Sequence, residues 1–578
     1  MSRRGNIKKK TSVEPVRHRP ESAARGFERT AEWIFYACLV LGATVVAPQD
    51  FFDWSEPPKL FTVQVGAAAI LCLWLCAAAL RGSLRVRLPA VLLPLGFTAV
   101  VAVLSVAWSV NPGLAVERLY HVGSLALFLV FALWLYRGQD VKGALYLIIF
   151  ISAGIALWGL VLDLVDPLRN WVYPNFLEQR GGHWINNIRP LTSTQGNPNF
   201  LLHVLVMAVP AALGALVHCL LERQEIVRRT RRVLILALAG SFLLPLACFA
   251  RSQNRSSLVA VFLALLLFFV ISLVINRGQM FSFFQTCRKH APRFLAGLAL
   301  AALAAAAAIG FTDRGRSFAL SFTSSAQARL AYWGTRFGNL TDLENIDVYS
   351  RVVLFETSTA MIADNPLLGK GIGQFQVYYP GYKTVEHWEK FPLLTPEIKR
   401  WSEIPAFAHN EWLQVFLELG VFAFASFLLF WILLGLMVLG VLRRSAGDPR
   451  FFLVLGIAAA IAGALFNALL TFPLQTITSG MFFWGLVGLL LVQCEVFVPG
   501  GRLREFDLTL RIKPVAAKLA LAAGAVMILA LCTWGSVRII RSQYLLFDAL
   551  KNHARRLDYS IRQVDKAERV EPGSFVNL

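Results

Sequence analysis

Long apolar runs alternate with short polar gaps along almost the whole chain. A run of about 18 or more apolar residues crosses a bilayer as a helix, because only a helix satisfies its own backbone groups in hydrocarbon. About thirteen such runs are read, at 33–48, 60–80, 88–107, 119–136, 141–165, 198–221, 233–250, 257–276, 294–311, 413–442, 451–472, 479–498 and 515–536. The pattern predicts an all-α polytopic membrane protein of about 12–13 transmembrane helices. One gap differs from the rest: residues 312–411 form a long hydrophilic insertion.

The chain divides accordingly into a basic tail 1–30, expected to be disordered, and spans one to nine over 31–311. The large polar loop 312–411, four further spans over 412–536 and a polar tail 537–578 follow. Within the loop, Val352, Phe355, Ser358/Thr359 and Ile362 recur at helical spacing, so Tyr349–Asp364 reads as an amphipathic helix ended by Asn365-Pro366. Gly369, Gly371 and Gly373 follow. No strand precedes them, so a tight backbone turn against the membrane surface is the better reading than a dinucleotide loop. Tyr378, Tyr379, Tyr382, Trp388 and Trp401 suit a bilayer interface or sugar stacking. Low-complexity alanine at Ala302–Ala308 suggests close helix packing. In the tail, Leu557, Ile561, Val564 and Ala567 have helical spacing. They read as part of a tetratricopeptide-like unit that binds a protein partner, or as an amphipathic helix packed on the membrane domain.

Composition agrees: 56% of residues are apolar and mean hydropathy is +0.58. The net charge of +21 does not point to nucleic acid, because Lys and Arg concentrate in alternate gaps. Arg81, Arg85 and Arg87 fill one, Arg137 and Lys142 another, and Arg502, Arg504, Arg511 and Lys513 a later one. That distribution places the N-terminus in the cytoplasm and the large loop and C-terminal tail outside it, with attraction to anionic lipid headgroups besides. The long, polar N-terminal tail does not read as a cleaved signal peptide. The eight cysteines supply neither a disulfide framework nor paired zinc spacing.

Four constellations fall on the outer face. Asn197 before Pro198 reads as a helix cap, with Asn199 a possible ligand contact besides. Arg251 and Arg255 stand in a six-residue outer gap, against the positive-inside bias, where guanidinium groups suit a diphosphate. Arg351 opens the amphipathic helix. His409, with Asn410 and Glu411, lies where the loop re-enters the membrane. Imidazole accepts a proton near neutral pH, and Glu411 would either orient it or benefit from the helix start. Outside the cytoplasm an activated sugar must carry its own leaving group, as a polyprenyl diphosphate-linked glycan does. No Asp-x-Asp stands in the loop, so no metal site and no cofactor are expected, and arginine would stabilise the departing diphosphate.

These pieces occur together and in order: Gly196-Asn197-Pro198-Asn199, Asn254-Arg255-Ser256, Arg351 leading to Asp364-Asn365-Pro366-Leu367-Leu368-Gly369, and Ala408-His409-Asn410 with Glu418-Leu419-Gly420. In this the chain resembles the O-antigen ligase / O-antigen polymerase superfamily over roughly 190–440. The resemblance implies a GT-C-like, metal-independent inverting glycosyltransferase of the bacterial inner membrane. It implies that His409 is the base and that Arg255 and Arg351 engage an undecaprenyl diphosphate donor. The family loop usually reads Ser-Arg-Gly, so Asn254-Arg255-Ser256 departs from it and Arg251 competes with Arg255. Lipid A–core is the expected acceptor; a polymerase extending a growing glycan and a protein O-oligosaccharyltransferase remain alternatives. A transporter without chemistry is the rival from another class. It would use mid-span ionisable residues, of which His203 and Asp163 are the candidates, neither with an obvious partner.

Overall fold

The computed structural model describes residues 19–47, 55–164, 191–222, 228–252, 254–286, 288, 346–387, 405–498, 503–552 and 557–570. The chain is an all-α polytopic membrane protein. Ten helices among the described residues are long and apolar enough to cross a membrane. They include α2 (Glu56–Arg81), α4 (Pro112–Tyr136), α5 (Lys142–Leu164), α6 (Pro198–Leu221), α7 (Arg228–Arg251) and α8 (Arg255–Ile275). Between α2 and α4, α3 (Leu93–Leu104) is extended at both ends by short 3-10 turns into one span. Beyond α9 (Ile346–Asp364) and α10 (Phe375–Tyr382) come α11 (Glu411–Arg444), the shorter apolar α12 (Phe451–Asn467) and α13 (Ile477–Glu495). The last two helices are α14 (Val515–Asn552) and α15 (Leu557–Val570).

The first expected span lies in α1 (Arg19–Thr44), which packs along α2; its start takes in residues 19–30, expected to be disordered. The span at 294–311, with Ala302–Ala308, lies outside the described residues, as do Trp388 and Trp401. At the other end α15 folds back on α14, where Asp548 accepts hydrogen bonds from Tyr559 Oη (2.5 Å) and Gln563 Nε2 (2.9 Å).

The core is built around α6 and α13, which are buried almost throughout and need no polar stripe. Backbones approach closely where side chains vanish. A Cβ on Gly214 of α6 would lie 2.7 Å from Gly456 Cα of α12, the small-residue packing favoured between membrane helices. Phe262, Leu236, Val274 and Leu519 remain exposed, as lipid-facing residues must.

Four helices start with the same chemistry. Asn111, Asn197, Asn254 and Asn410 cap α4, α6, α8 and α11 by accepting from the backbone N–H groups of Leu114, Asn199, Ser257 and Leu413. Each cap contributes about 1 kcal/mol. On the opposite, basic face lies an element the sequence reading did not anticipate. β1 (Ser83–Pro89) and β2 (Glu505–Arg511) pair antiparallel, from Ser83↔Arg511 to Pro89↔Glu505. Two basic gaps read as separate loops are therefore one ribbon.

The segment between α9 and α10 is tied to α11 by an exchange of hydrogen bonds. Gly420 breaks α11 at φ 77°, ψ 177°. In an unbroken helix the Val421 amide would donate to Leu417. Here it donates to Pro366 O (2.8 Å), while Leu417 O and Glu418 O accept from the amides of Lys370 and Gly371 (2.8 Å each). Gly373 N adds a bond to Glu418 Oε2 (2.8 Å). The glycine segment does turn tightly, with φ of 69°, 98° and 72° at Gly369, Gly371 and Gly373, but it turns into the broken helix. A Cβ on Gly420 would collide with the Leu367 carbonyl.

Gly420→Ala should therefore destabilise the protein by about 2–4 kcal/mol, from left-handed strain plus overpacking. Gly435→Ala, in the same helix with nothing within 4 Å of the added Cβ, serves as the control. Thermal unfolding of the purified chain in detergent reads the difference; equal melting of the two variants contradicts the exchange.

Candidate functional site

The ring of Phe472, in the loop between α12 and α13, gathers the residues of the site. Phe407 stacks on it at 4.7 Å, and His409 meets it edge-on at 4.8 Å and 87°. Phe200 and His203 of α6 each pack on it at 5.9 Å. Glu411 holds this loop in place. Its Oε1 accepts from the amides of Leu474 (2.8 Å) and Gln475 (3.0 Å), and its own N–H donates to Ala468 O (2.9 Å). Of the two roles left open for Glu411, the geometry gives the helix start, since it stands in the first turn of α11. Its carboxylate anchors the backbone opposite His409 rather than orienting the imidazole.

His409 is half-buried and has φ 53°, a left-handed backbone that costs a residue with a side chain about 1–2 kcal/mol. Neighbours on both sides hold it there. Ala408 N donates to Gln414 Oε1 (3.2 Å), and Asn410 is committed to its cap. Such strain, maintained by surrounding hydrogen bonds, is common where a side chain must be aimed. Burial, and after it the positive charge of Arg351, pushes the imidazole down to about 4. Near pH 7 the ring is therefore neutral, with a lone pair available to accept a proton.

Arg351 lies exposed on α9, close enough for its charge to act on His409. A further guanidinium was missed by the sequence reading. Arg118, on α4, places its Cζ 4.6 Å over the ring of Phe407. A Cβ on Gly373 would press on the Arg118 stem at 2.8 Å, so the glycine segment and this arginine fit together. Glu117-Arg118, just ahead of the apolar run, was the available signal.

The outer gap between α7 and α8 separates its two arginines. Arg251 pairs with Asp163, Nε to Oδ2 at 2.7 Å and Nη2 to Oδ2 at 2.5 Å. Asp163, expected to lack a partner, thus has one. Arg255 begins α8, half-buried, with no carboxylate partner among the described residues. Beside it, Asn254 Nδ2 donates to Asn199 Oδ1 (2.7 Å), which binds the starts of α6 and α8 together. Ser257 donates to Asn467 Oδ1 (3.4 Å) at the end of α12, directly before the Phe472 loop. Asn197 serves as the cap, accepting from the Asn199 N–H, while the Asn199 side chain accepts from Asn254.

Both ring nitrogens of His203 are buried without a partner among the described residues. His203 lies beside His409 across Phe472 rather than along a separate path. The tyrosines of α9 and α10 divide: Tyr379 is buried with Tyr349 and Phe375, while Lys370 sits over the rings of Tyr378 (5.0 Å) and Tyr382 (5.3 Å). Among the described residues no group of three or more His, Cys, Asp or Glu side chains is arranged to hold a metal ion.

Residues 240–428 match the model of the O-Antigen ligase family, Wzy_C. A search among curated proteins gives no match. The matched stretch holds Arg251, Arg255, Arg351, His409 and the glycine segment, whereas Arg118, Asn197, Asn199 and Phe472 lie outside it. Over residues 240–428 the chain is thus similar to the O-antigen ligase family.

Proposed function

We propose that the chain is a membrane glycosyltransferase that moves a glycan from undecaprenyl diphosphate to an acceptor hydroxyl, on the periplasmic face of a bacterial inner membrane. The observation that carries this reading is a neutral, strained His409 under the charge of Arg351, with Arg118 over the ring of Phe407 two residues earlier. His409 takes the proton of the acceptor hydroxyl as its oxygen attacks the anomeric carbon. The bond from that carbon to the diphosphate oxygen breaks, and the electron pair leaves with the diphosphate. Attack opposite the leaving group inverts the anomeric centre. Arg255 and Arg351 pair with the departing charge, and Arg118 adds a third guanidinium. Asn199, through Asn254, positions the start of α8 on which Arg255 stands. Lipid A–core is the acceptor this reading favours; a growing glycan on the same carrier is the runner-up.

The site couples donor binding to base strength. An imidazole held near 4 is ready to accept a proton but holds it weakly. A bound diphosphate offsets the charge of Arg351 and raises the imidazole towards its ordinary value. The free enzyme should therefore keep kcat/KM for the donor constant from pH 7 down to about 5, with its acid limb approaching 4. The acid limb of kcat should lie higher. Arg351→Gln removes a charge that repels the proton, so its kcat/KM limb should move up in pH. A wild-type kcat/KM limb at about 6.5, unmoved by the substitution, contradicts the coupling.

The two arginines of the outer gap should separate by readout. Arg255→Gln should weaken donor binding about tenfold or more with little change in melting. Arg251→Gln strands buried Asp163 and should cost about 3–5 kcal/mol of stability. Donor affinity and melting temperature, measured on both variants, check this; a reversed pattern gives the diphosphate to Arg251. Purified enzyme supplied with lipid-linked glycan and either lipid A–core or additional donor tests the acceptor. Transfer to lipid A–core is expected, and chain extension alone would make the enzyme a polymerase.

A further inference from the structure

On the basic face, α2, β1 and α4 enclose a cavity of about 360 Å³ whose wall is divided by chemistry. Trp74 and Trp134, with ring centroids 6.0 Å apart, form the part reaching into the spans. Arg81, Arg85, Arg87 and Arg137 form the part at the helix ends. Trp74 precedes Arg81 by seven residues, about 10 Å along the helix, so the cavity runs from bilayer depth to the headgroup level. A second cavity of about 420 Å³ shares Arg87 and Arg137 and continues the cleft.

The guanidinium groups are held from outside the wall. Arg81 pairs with Glu28 (2.8 Å), and Arg85 binds Asp507 through Nε and Nη2. Arg137 pairs with Glu495 and Glu505 (2.5 Å each), while its Nη1 donates to Arg87 O (3.3 Å). Arg87 Nε lies 3.4 Å from Asp507, within reach of its charge, but makes no hydrogen bond among the described residues. None of these carboxylates lines the first cavity. The formal charges balance, but those on the wall do not: four cations face the space and no anion does. Ion pairs that fix arginine forks leave further N–H donors free for a second oxyanion ligand. An ammonium would find no carboxylate on the wall of the first cavity, and Glu495, which lines the second, is already paired with Arg137.

We propose that this cleft binds an anionic phospholipid. Its phosphate sits among Arg81, Arg85, Arg87 and Arg137, and its glycerol and first acyl carbons lie against Trp74 and Trp134. Basic pockets between membrane helices at headgroup level recognise lipid in this way. The ligand would bridge α2, α4 and the ribbon, which joins residues more than four hundred positions apart.

Native mass spectrometry of the full chain in detergent, with equimolar phosphatidylglycerol, phosphatidylethanolamine and phosphatidylcholine added, tests this. Phosphatidylglycerol should be retained about fivefold or more over both zwitterionic lipids, and Arg81→Gln/Arg85→Gln should abolish that preference. Trp74→Leu, which leaves every charge in place, should lower retention of phosphatidylglycerol several-fold. Equal retention of the three lipids by the wild type overturns the proposal, as does unchanged retention in both variants. Displacement of the lipid by millimolar glycerol phosphate would assign the cleft to a soluble phosphate and overturn the lipid assignment. Because the readout is bound lipid, these outcomes are independent of glycan transfer.

Discussion

The structure depends on a trade of backbone hydrogen bonds at one broken helix. Breaking α11 at Gly420 frees the carbonyls of Leu417 and Glu418, which would otherwise be used within the helix. Buried carbonyls without partners are costly in a membrane, so the break exists only because Pro366–Gly373 supplies the replacement amides. The reverse also holds: that segment has no other ladder, and three positive φ angles shape it to fit. The trade fixes α9 and α10 against α11. It thereby sets where Arg351 stands relative to His409, while Gly373 leaves room for the stem of Arg118.

The chemistry of the site follows from that placement. Burial and a nearby cation both disfavour protonated imidazole, so His409 stays neutral, with no hydrogen-bonded carboxylate among the described residues. Glu411, the nearest acid in sequence, is turned to the Leu474 and Gln475 amides and instead stabilises the loop carrying Phe472. The arginines are differently committed. Arg251 is bound to Asp163, whereas Arg255 lies at a helix start braced by the Asn199–Asn254 bond. On the proposed reading, the charge that completes the set comes with the donor, and donor binding both engages the arginines and strengthens the base.

Much of this was legible in the chain because it rests on local rules. Length and hydropathy located the spans among the described residues, and Asn197 before Pro198 located the start of α6. Spacing located the helix over Tyr349–Asp364 but not its buried face, since Phe355 is exposed and Val353 and Met361 are buried. What was missed requires contacts between distant segments. The ribbon had its own signal, since Leu84, Val86 and Leu88 alternate with Arg85 and Arg87 while Phe506, Leu508 and Leu510 alternate with Asp507 and Thr509. Short strands flanked by arginines were read as charge. Phe472 closes an apolar run and carries no mark that four rings from two other segments converge on it. The Arg251–Asp163 pair joins two spans that no spacing rule connects.

The most direct test of the account is His409→Ala, with glycan transfer and donor binding measured on the same purified protein. Loss of the base should lower the transfer rate by about 10²–10⁴-fold, while donor affinity stays within about threefold of the wild type, because arginines hold the diphosphate. Undiminished transfer, or donor affinity that collapses in step with the rate, would contradict the role assigned to His409.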